Sequence, residues 1–253
     1  MSALFEAFSP GLLLFLATVL FVAGCVRGFT GFGAGMIFIP LATSVVPPSV
    51  AAATFLFVDS IVTLPLVVRA VKNCVWRTVL PAVLGAILFV HLGAWLLATA
   101  NVLVLRWIIF AIVVCLLGLL VSGWRYQRPP HPAVSFATGG VSGVLGGVSQ
   151  VSAPPVVAMW LSSSSDPLVV RANLIVFFAL ASVGTFAAYA LHGFFTADVA
   201  RLLVVAAPVY ALAIFLGARR FGRARPALYR KAAYVLIALA ALISMPALDV
   251  LLR

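Results

Sequence analysis

The chain has 253 residues, of which 65% are apolar and 8% charged, with a mean hydropathy of +1.25. An ordinary soluble domain carries about 25% charged residues, so this composition excludes a soluble globule and marks an integral membrane protein. The 16 Lys and Arg against 5 Asp and Glu give a formal +11, too sparse to coat a nucleic-acid groove, and read here as signals for orientation in a bilayer.

A spanning helix takes about 20 mostly apolar residues. The first ten residues carry Glu6 and no basic n-region, so the first apolar segment, 9–27, is expected as a retained span and not a cleaved leader. A Gly-rich stretch, Thr30–Val46, follows directly, and further spans are expected at 49–70, 77–98 and 102–122. The basic, Pro-rich segment Trp124–Pro132 then leads into a second Gly-rich stretch, Ala133–Leu161, which contains Pro154-Pro155. Spans at 168–191 and 202–218 come next, with a seventh at 229–250 that opens on Arg230 and Lys231 and ends near Pro246. Both Gly-rich stretches are too apolar for aqueous loops and too rich in Gly and Pro for uniform helices, so broken helices are expected there. Cys25, Cys74 and Cys115 lie in or beside apolar runs as packing residues, and His91, His131 and His192 form no zinc-ligand pattern. No cofactor or metal is expected.

The two Gly-rich stretches resemble each other. At an offset of 115 residues Gly24, Gly28, Gly31 and Pro40 meet Gly139, Gly143, Gly146 and Pro155. With a drifting offset Pro48 meets Pro167, Arg77 meets Arg201, Gly93 meets Gly217, and Arg106 falls near Arg230 and Lys231. Internal duplication accounts for this order: a first repeat over 1–123, a cytoplasmic linker over 124–132 and a second repeat over 133–253. The main basic clusters are Arg69/Lys72/Arg77, Arg125/Arg128, and Arg219/Arg220/Arg223/Arg225 with Arg230/Lys231. With four crossings per half the third cluster falls opposite the first two. With five, all share the cytoplasmic side, as the positive-inside tendency requires. The expected fold is therefore an all-α polytopic membrane protein of two inverted repeats, each of about five membrane segments with a broken Gly-rich helix.

Backbone that leaves the helix inside a membrane must be buried or line a watery cavity, and exposed helix N-termini suit anions. GFTGFGAG (Gly28–Gly35) and GVLGGVSQVSAPP (Gly143–Pro155) occupy corresponding places in the two halves, the sequence pointer to a carrier site. Close packing is the competing reading for Gly24/Gly28, Gly31/Gly35 and Gly143/Gly147, which have small-xxx-small spacing. Arg27 precedes the first break, and Arg171 and Asn173 open the span after the second; an arginine can hold an oxyanion bidentately. The candidate substrate residues are Arg27, Thr30, Gly31, Gly33, Ser149, Gln150, Ser152, Arg171 and Asn173, with Thr54 a further hydroxyl and Asp59 a coupling carboxylate.

At these residues the chain resembles the sulfite exporter TauE/SafE family, also called the toluene-sulfonate uptake permease family. The first-half signature is carried by Arg27, Gly28, Thr30, Gly31, Phe32 and Gly33, and the second by Gly143/Gly146, Pro154-Pro155 and Arg171-Ala172. Ser152-Ala153 stands where many relatives carry glycines, so a less open second break is expected here. The resemblance implies a multi-pass transporter of the inner (plasma) membrane that moves sulfite, an organosulfonate or a related sulfur oxyanion, and no enzyme. The residues themselves point only to a small anion as substrate, with the lipid bilayer as surroundings, no nucleic acid and no indication of oligomeric state. A secondary carrier is the leading reading. A passive anion channel is the alternative, and further off stands an intramembrane serine protease built on Gly140-Val141-Ser142-Gly143 with His192 as base.

Overall fold

The structure, a computed structural model, describes residues 8–124, 126, 130–160, 166–220 and 226–251. Glu6, Arg125 and Arg128 of the linker, Leu161, and Arg223 and Arg225 of the third basic cluster lie outside the described residues. All regular structure among the described residues is helical. The helices are α1 (Pro10–Thr30), α2 (Ala34–Ala42), α3 (Pro48–Ala70), α4 (Trp76–Thr99), α5 (Val102–Val121), α6 (Pro132–Ser149), α7 (Ala153–Trp160), α8 (Pro167–Leu191), α9 (Ala197–Arg220), α10 (Pro226–Ser244) and α11 (Pro246–Leu251).

Helix starts follow local chemistry. Ser9, His131 and Asp166 each accept a backbone N–H with the side chain, at 3.3, 3.3 and 2.9 Å, just ahead of Pro10, Pro132 and Pro167. Proline in the first turn gives up an N–H that has no helical partner anyway. Among the described residues six helices, α1, α3, α4, α5, α8 and α9, are long and apolar enough to cross a membrane, and they are the six segments expected. At the place of the seventh, α10 runs from Pro226 to Ser244 and stops ahead of Pro246, which opens α11 instead of continuing α10. Large apolar side chains such as Leu64, Val68, Leu88 and Val204 stay exposed, as lipid-facing positions do.

The order long, short, long, long, long occurs twice: 21, 9, 23, 24 and 20 residues in α1–α5, then 18, 8, 25, 24 and 19 in α6–α10. At 1.5 Å per residue α2 and α7 rise only about 14 and 12 Å, under half of a hydrocarbon core of about 30 Å. Any crossing at those places therefore includes non-helical backbone. Element ends pair at a separation of 119 (30 with 149, 34 with 153, 48 with 167), one helical turn away from the 115 read from glycine identities. The Gly-rich stretches thus correspond as Gly24 with Gly143 and Gly28 with Gly147. Pro40 lies deep in α2 whereas Pro155 sits in the first turn of α7, so these two prolines are not equivalent.

The chain divides into two compact units, one of residues 1–58, 100–117 and 194–253 and the other of 59–99 and 118–193. In the first, α1 packs along α9 and α10 packs against α2. A Cβ placed on Gly28 would lie 2.5 Å from the Ile214 carbonyl oxygen, 2.9 Å from Ala218 N and 3.0 Å from Gly217 Cα; only hydrogen at Gly28 lets the backbones approach this closely. Phe55 stacks on Phe38 at 5.7 Å and meets Tyr210 edge-on at 5.9 Å. Arg106 of α5 reaches the Ser244 carbonyl at 3.4 Å, a cation at the negative end of α10.

In the second unit α6 packs along α4, and α8 lies on α4. A Cβ on Gly147 would collide with the Val90 carbonyl and lie 2.8 Å from Ala94 N and 2.9 Å from Gly93 Cα. Each partner here stands 124 residues before its partner in the first unit (90 with 214, 93 with 217, 94 with 218), so the same contact is built twice. The core of this unit includes Val79, Val83, Val156, Met159, Trp160 and Phe177. Trp160 donates its indole N–H to Thr78 at 3.3 Å, which satisfies both buried polar groups.

Candidate anion site

The sequence candidates fall into two clusters, one in each unit. Arg27, Thr30, Gly31 and Gly33 belong to the first unit; Asp59, Ser149, Gln150, Ser152, Arg171 and Asn173 belong to the second. The two breaks have the same frame. Gly31 ends α1 in the left-handed region (φ 82°) and donates its N–H to the Arg27 carbonyl at 2.8 Å. Gln150 ends α6 in the same region (φ 56°) and donates to the Gly146 carbonyl at 2.9 Å. Glycine adopts that conformation readily, whereas glutamine is strained there.

The side chains differ. At the first break Arg27 donates Nη1 to the Gly31 carbonyl at 3.2 Å, which lays its guanidinium over the end of α1. Gly33 (φ 92°) precedes α2 and provides no side-chain cap for its first turn. A full positive charge and a helix N-terminus with backbone donors therefore share one short segment, an arrangement suited to an oxyanion. Thr30 is the last residue of α1.

The second break is poorer in donors. Pro154 and Pro155 fall in the first turn of α7, where neither has an N–H. They start that helix; they do not break one. Ser149 is fully buried and donates to the Leu145 carbonyl at 2.9 Å. Gln150 gives its side-chain N–H groups to the Gly146 carbonyl at 2.9 Å and to Tyr189 Oη at 3.0 Å. Tyr189, fully buried on α8, donates in turn to the Gly147 carbonyl at 2.9 Å. These bonds hold the strained glutamine and fill the carbonyl end of α6. Sequence reasoning passed over Tyr189. The available signal was a phenol in an apolar span, whose hydroxyl must find a partner. Ser152 is half-buried beside Gly146.

Arg171 is exposed, and Asn173, 4% exposed, accepts the Val75 N–H at 2.7 Å. Asn173 thereby caps the start of α4 from α8. Asn173→Ala is expected to lower stability by about 1 kcal/mol and to leave the transport KM unchanged, which thermal unfolding and uptake kinetics on the same preparation measure. Next to it, burial pushes the Cys74 thiol up from its ordinary pKa, in keeping with a packing cysteine. Asp59 is half-buried in α3, and its carbonyl accepts the Thr63 hydroxyl at 2.8 Å. The glycines divide by role: Gly24, Gly28, Gly139, Gly143 and Gly147 serve close packing, while Gly31 and Gly33 supply left-handed backbone. The Ser142 hydroxyl is buried without a hydrogen-bond partner among the described residues, so Ser142 and His192 form no catalytic pair.

Residues 16–244 match the sulfite exporter TauE/SafE family. The chain belongs to this family. It is a membrane transporter and not an enzyme. The chain is similar to the "Probable sulfite/organosulfonate exporter TauE" of Cupriavidus necator, 28% identical over 235 residues that cover 87% of this chain and 89% of the relative. No solved structure matches. As a TauE/SafE family member the chain takes a small anion as its substrate class, and its six apolar helices embed it in a membrane.

Proposed function

We propose that this TauE/SafE family protein is a secondary carrier of the plasma membrane that moves a sulfur oxyanion, sulfite or an organosulfonate. The observation that carries this reading is the first break, where Arg27, the left-handed Gly31 and Gly33, and the uncapped start of α2 gather positive charge and backbone donors. The name of the Cupriavidus relative supports the sulfur chemistry. The second break, with Gln150 tied to Tyr189, serves as shaped scaffold beside Ser149 and Ser152. Asp59 is the proposed coupling carboxylate.

The twofold order of helix lengths and the repeated glycine contact support duplication. With five membrane segments per half the second repeat is inverted. Reconstituted proteoliposomes test both claims. Labelled sulfite or a sulfonate is expected to accumulate against its gradient, and a protonophore is expected to abolish accumulation; downhill flux alone would establish a channel. In the same vesicles, cysteines introduced at Asn73 and Thr196 are expected to react with impermeant reagent from opposite sides, and reaction from one side would refute the inversion.

A further inference from the structure

The turn between α3 and α4, in the second unit, gathers three cations. Arg69, Lys72 and Arg77 are all exposed, and among the described residues none of them has an ion-pair partner. Val71, Val75 and Trp76 stand exposed between them. Apolar side chains interleaved with cations suit the edge of the hydrocarbon, where tryptophan is favoured and long basic side chains reach up to the headgroups.

The exposed side of α4 continues from that turn. Arg77, Leu84, Leu88 and Trp95 fall on one helix face by their spacing and are all exposed. Ala86 and Val90, on the opposite side, meet Gly143 and Gly147 of α6. Trp76 and Trp95 stand about 28 Å apart along α4, close to a hydrocarbon core of about 30 Å. Tryptophans at both ends of an exposed leucine stripe place the cationic turn at headgroup level.

The second half of the chain is an internal control. By the 124 separation Arg77 corresponds to Arg201 and Cys74 to Asp198. Arg201 is paired with Asp198 at 3.0 Å, and the α8–α9 turn, 192–196, carries no Lys or Arg. The first turn of α9 holds that acid, whereas the first turn of α4 holds Arg77 and no acid. A cation at the positive end of a helix is unfavourable without a nearby anion. The chain supplies the anion at Arg201 and leaves the place open at Arg77.

We propose that the α3–α4 turn and the exposed face of α4 bind one anionic phospholipid. Arg69, Lys72 and Arg77 take its phosphate, and Leu84 and Leu88 lie along an acyl chain. Leu88 is about 16 Å along α4 from Arg77, the depth of one leaflet. The leucine stripe is what selects a lipid over a soluble phosphate. This site needs only the membrane setting and does not rest on the carrier reading.

The test offers the purified full-length protein equal amounts of palmitoyl-oleoyl phosphatidylglycerol and phosphatidylcholine, with retained lipid counted by native mass spectrometry. Phosphatidylglycerol is expected to be preferred by at least about tenfold, since each cation at the headgroup is worth about fivefold. Arg77→Gln is expected to cut that preference about fivefold, and Arg201→Gln to leave it within about twofold. Lys72→Gln is expected to match Arg77→Gln and replaces it should that variant elute aggregated. Excess glycerol phosphate is expected to displace no lipid. Equal retention of the two lipids overturns the site. An equal loss in Arg201→Gln reduces the effect to net charge and overturns it as well. Displacement by glycerol phosphate makes the turn a soluble-phosphate site and overturns the lipid as occupant.

Discussion

Leucine at Gly147 is expected to abolish the folded protein, whereas leucine at Gly118 is expected to leave it intact. The atoms that a Cβ on Gly147 would meet are all backbone: the Val90 carbonyl, Ala94 N and Gly93 Cα. No rotamer change can clear them, so α6 must move away from α4. The displacement spreads, because Gly139 and Gly143 rest on Ala82 and Ala86 of the same helix, and an opened contact loses packing along its whole length. Overpacking a single site costs about 1–3 kcal/mol; separating a helix pair costs more than about 3 kcal/mol, a large share of a typical stability. Gly118 of α5 has nothing within 4 Å of its would-be Cβ, so the same side chain there points into open space. Monodisperse yield in size-exclusion chromatography and the melting temperature of both variants make the comparison. Equal behaviour of the two would refute the packing role assigned to the glycine.

Arg27→Ala is expected to reduce anion uptake by about 10–100-fold, the worth of a charge-assisted hydrogen bond of 1.5–3 kcal/mol. Arg171→Ala is expected to stay within about twofold of the parent. The sequence treats these two arginines alike, since each opens or closes a span beside a Gly-rich stretch. Their surroundings separate them. Arg27 folds over the end of α1 at a left-handed glycine, whereas Arg171 is exposed on α8. Arg27→Lys keeps the charge and loses the planar fork, so uptake should fall by an intermediate factor. Arg27 also supports the Gly31 carbonyl at 3.2 Å, and its loss will lower stability as well. Uptake is therefore compared per amount of folded protein, with equilibrium anion binding as a second measure. A loss at Arg171 equal to that at Arg27 would overturn the placement of the anion at the first break.

Composition alone was enough for the membrane, and apolar run lengths were enough for the six helices among the described residues that are long and apolar enough to cross it, because hydrocarbon admits few backbone solutions. The paired Gly-rich stretches and Arg27 were likewise legible, since glycine clusters and charges are rare signals in an apolar chain. The register of the internal match was not. Glycine identity favoured an offset of 115, but what makes two glycines equivalent is the backbone each one touches, and that gave 119. Asn173 read as a substrate residue from its place beside Arg171, yet its oxygen is engaged by Val75, 98 residues away in sequence. No local pattern could reveal such a partner.

The 65% apolar content determined by itself that this chain belongs in a bilayer, because solvation depends on composition and on little else. Which glycines pack and which turn, which hydroxyl lacks a partner, and which arginine lies beside a helix end were decided only in the tertiary structure. Those properties depend on contacts between residues far apart in the chain, such as Gly28 with Gly217 and Gly147 with Gly93.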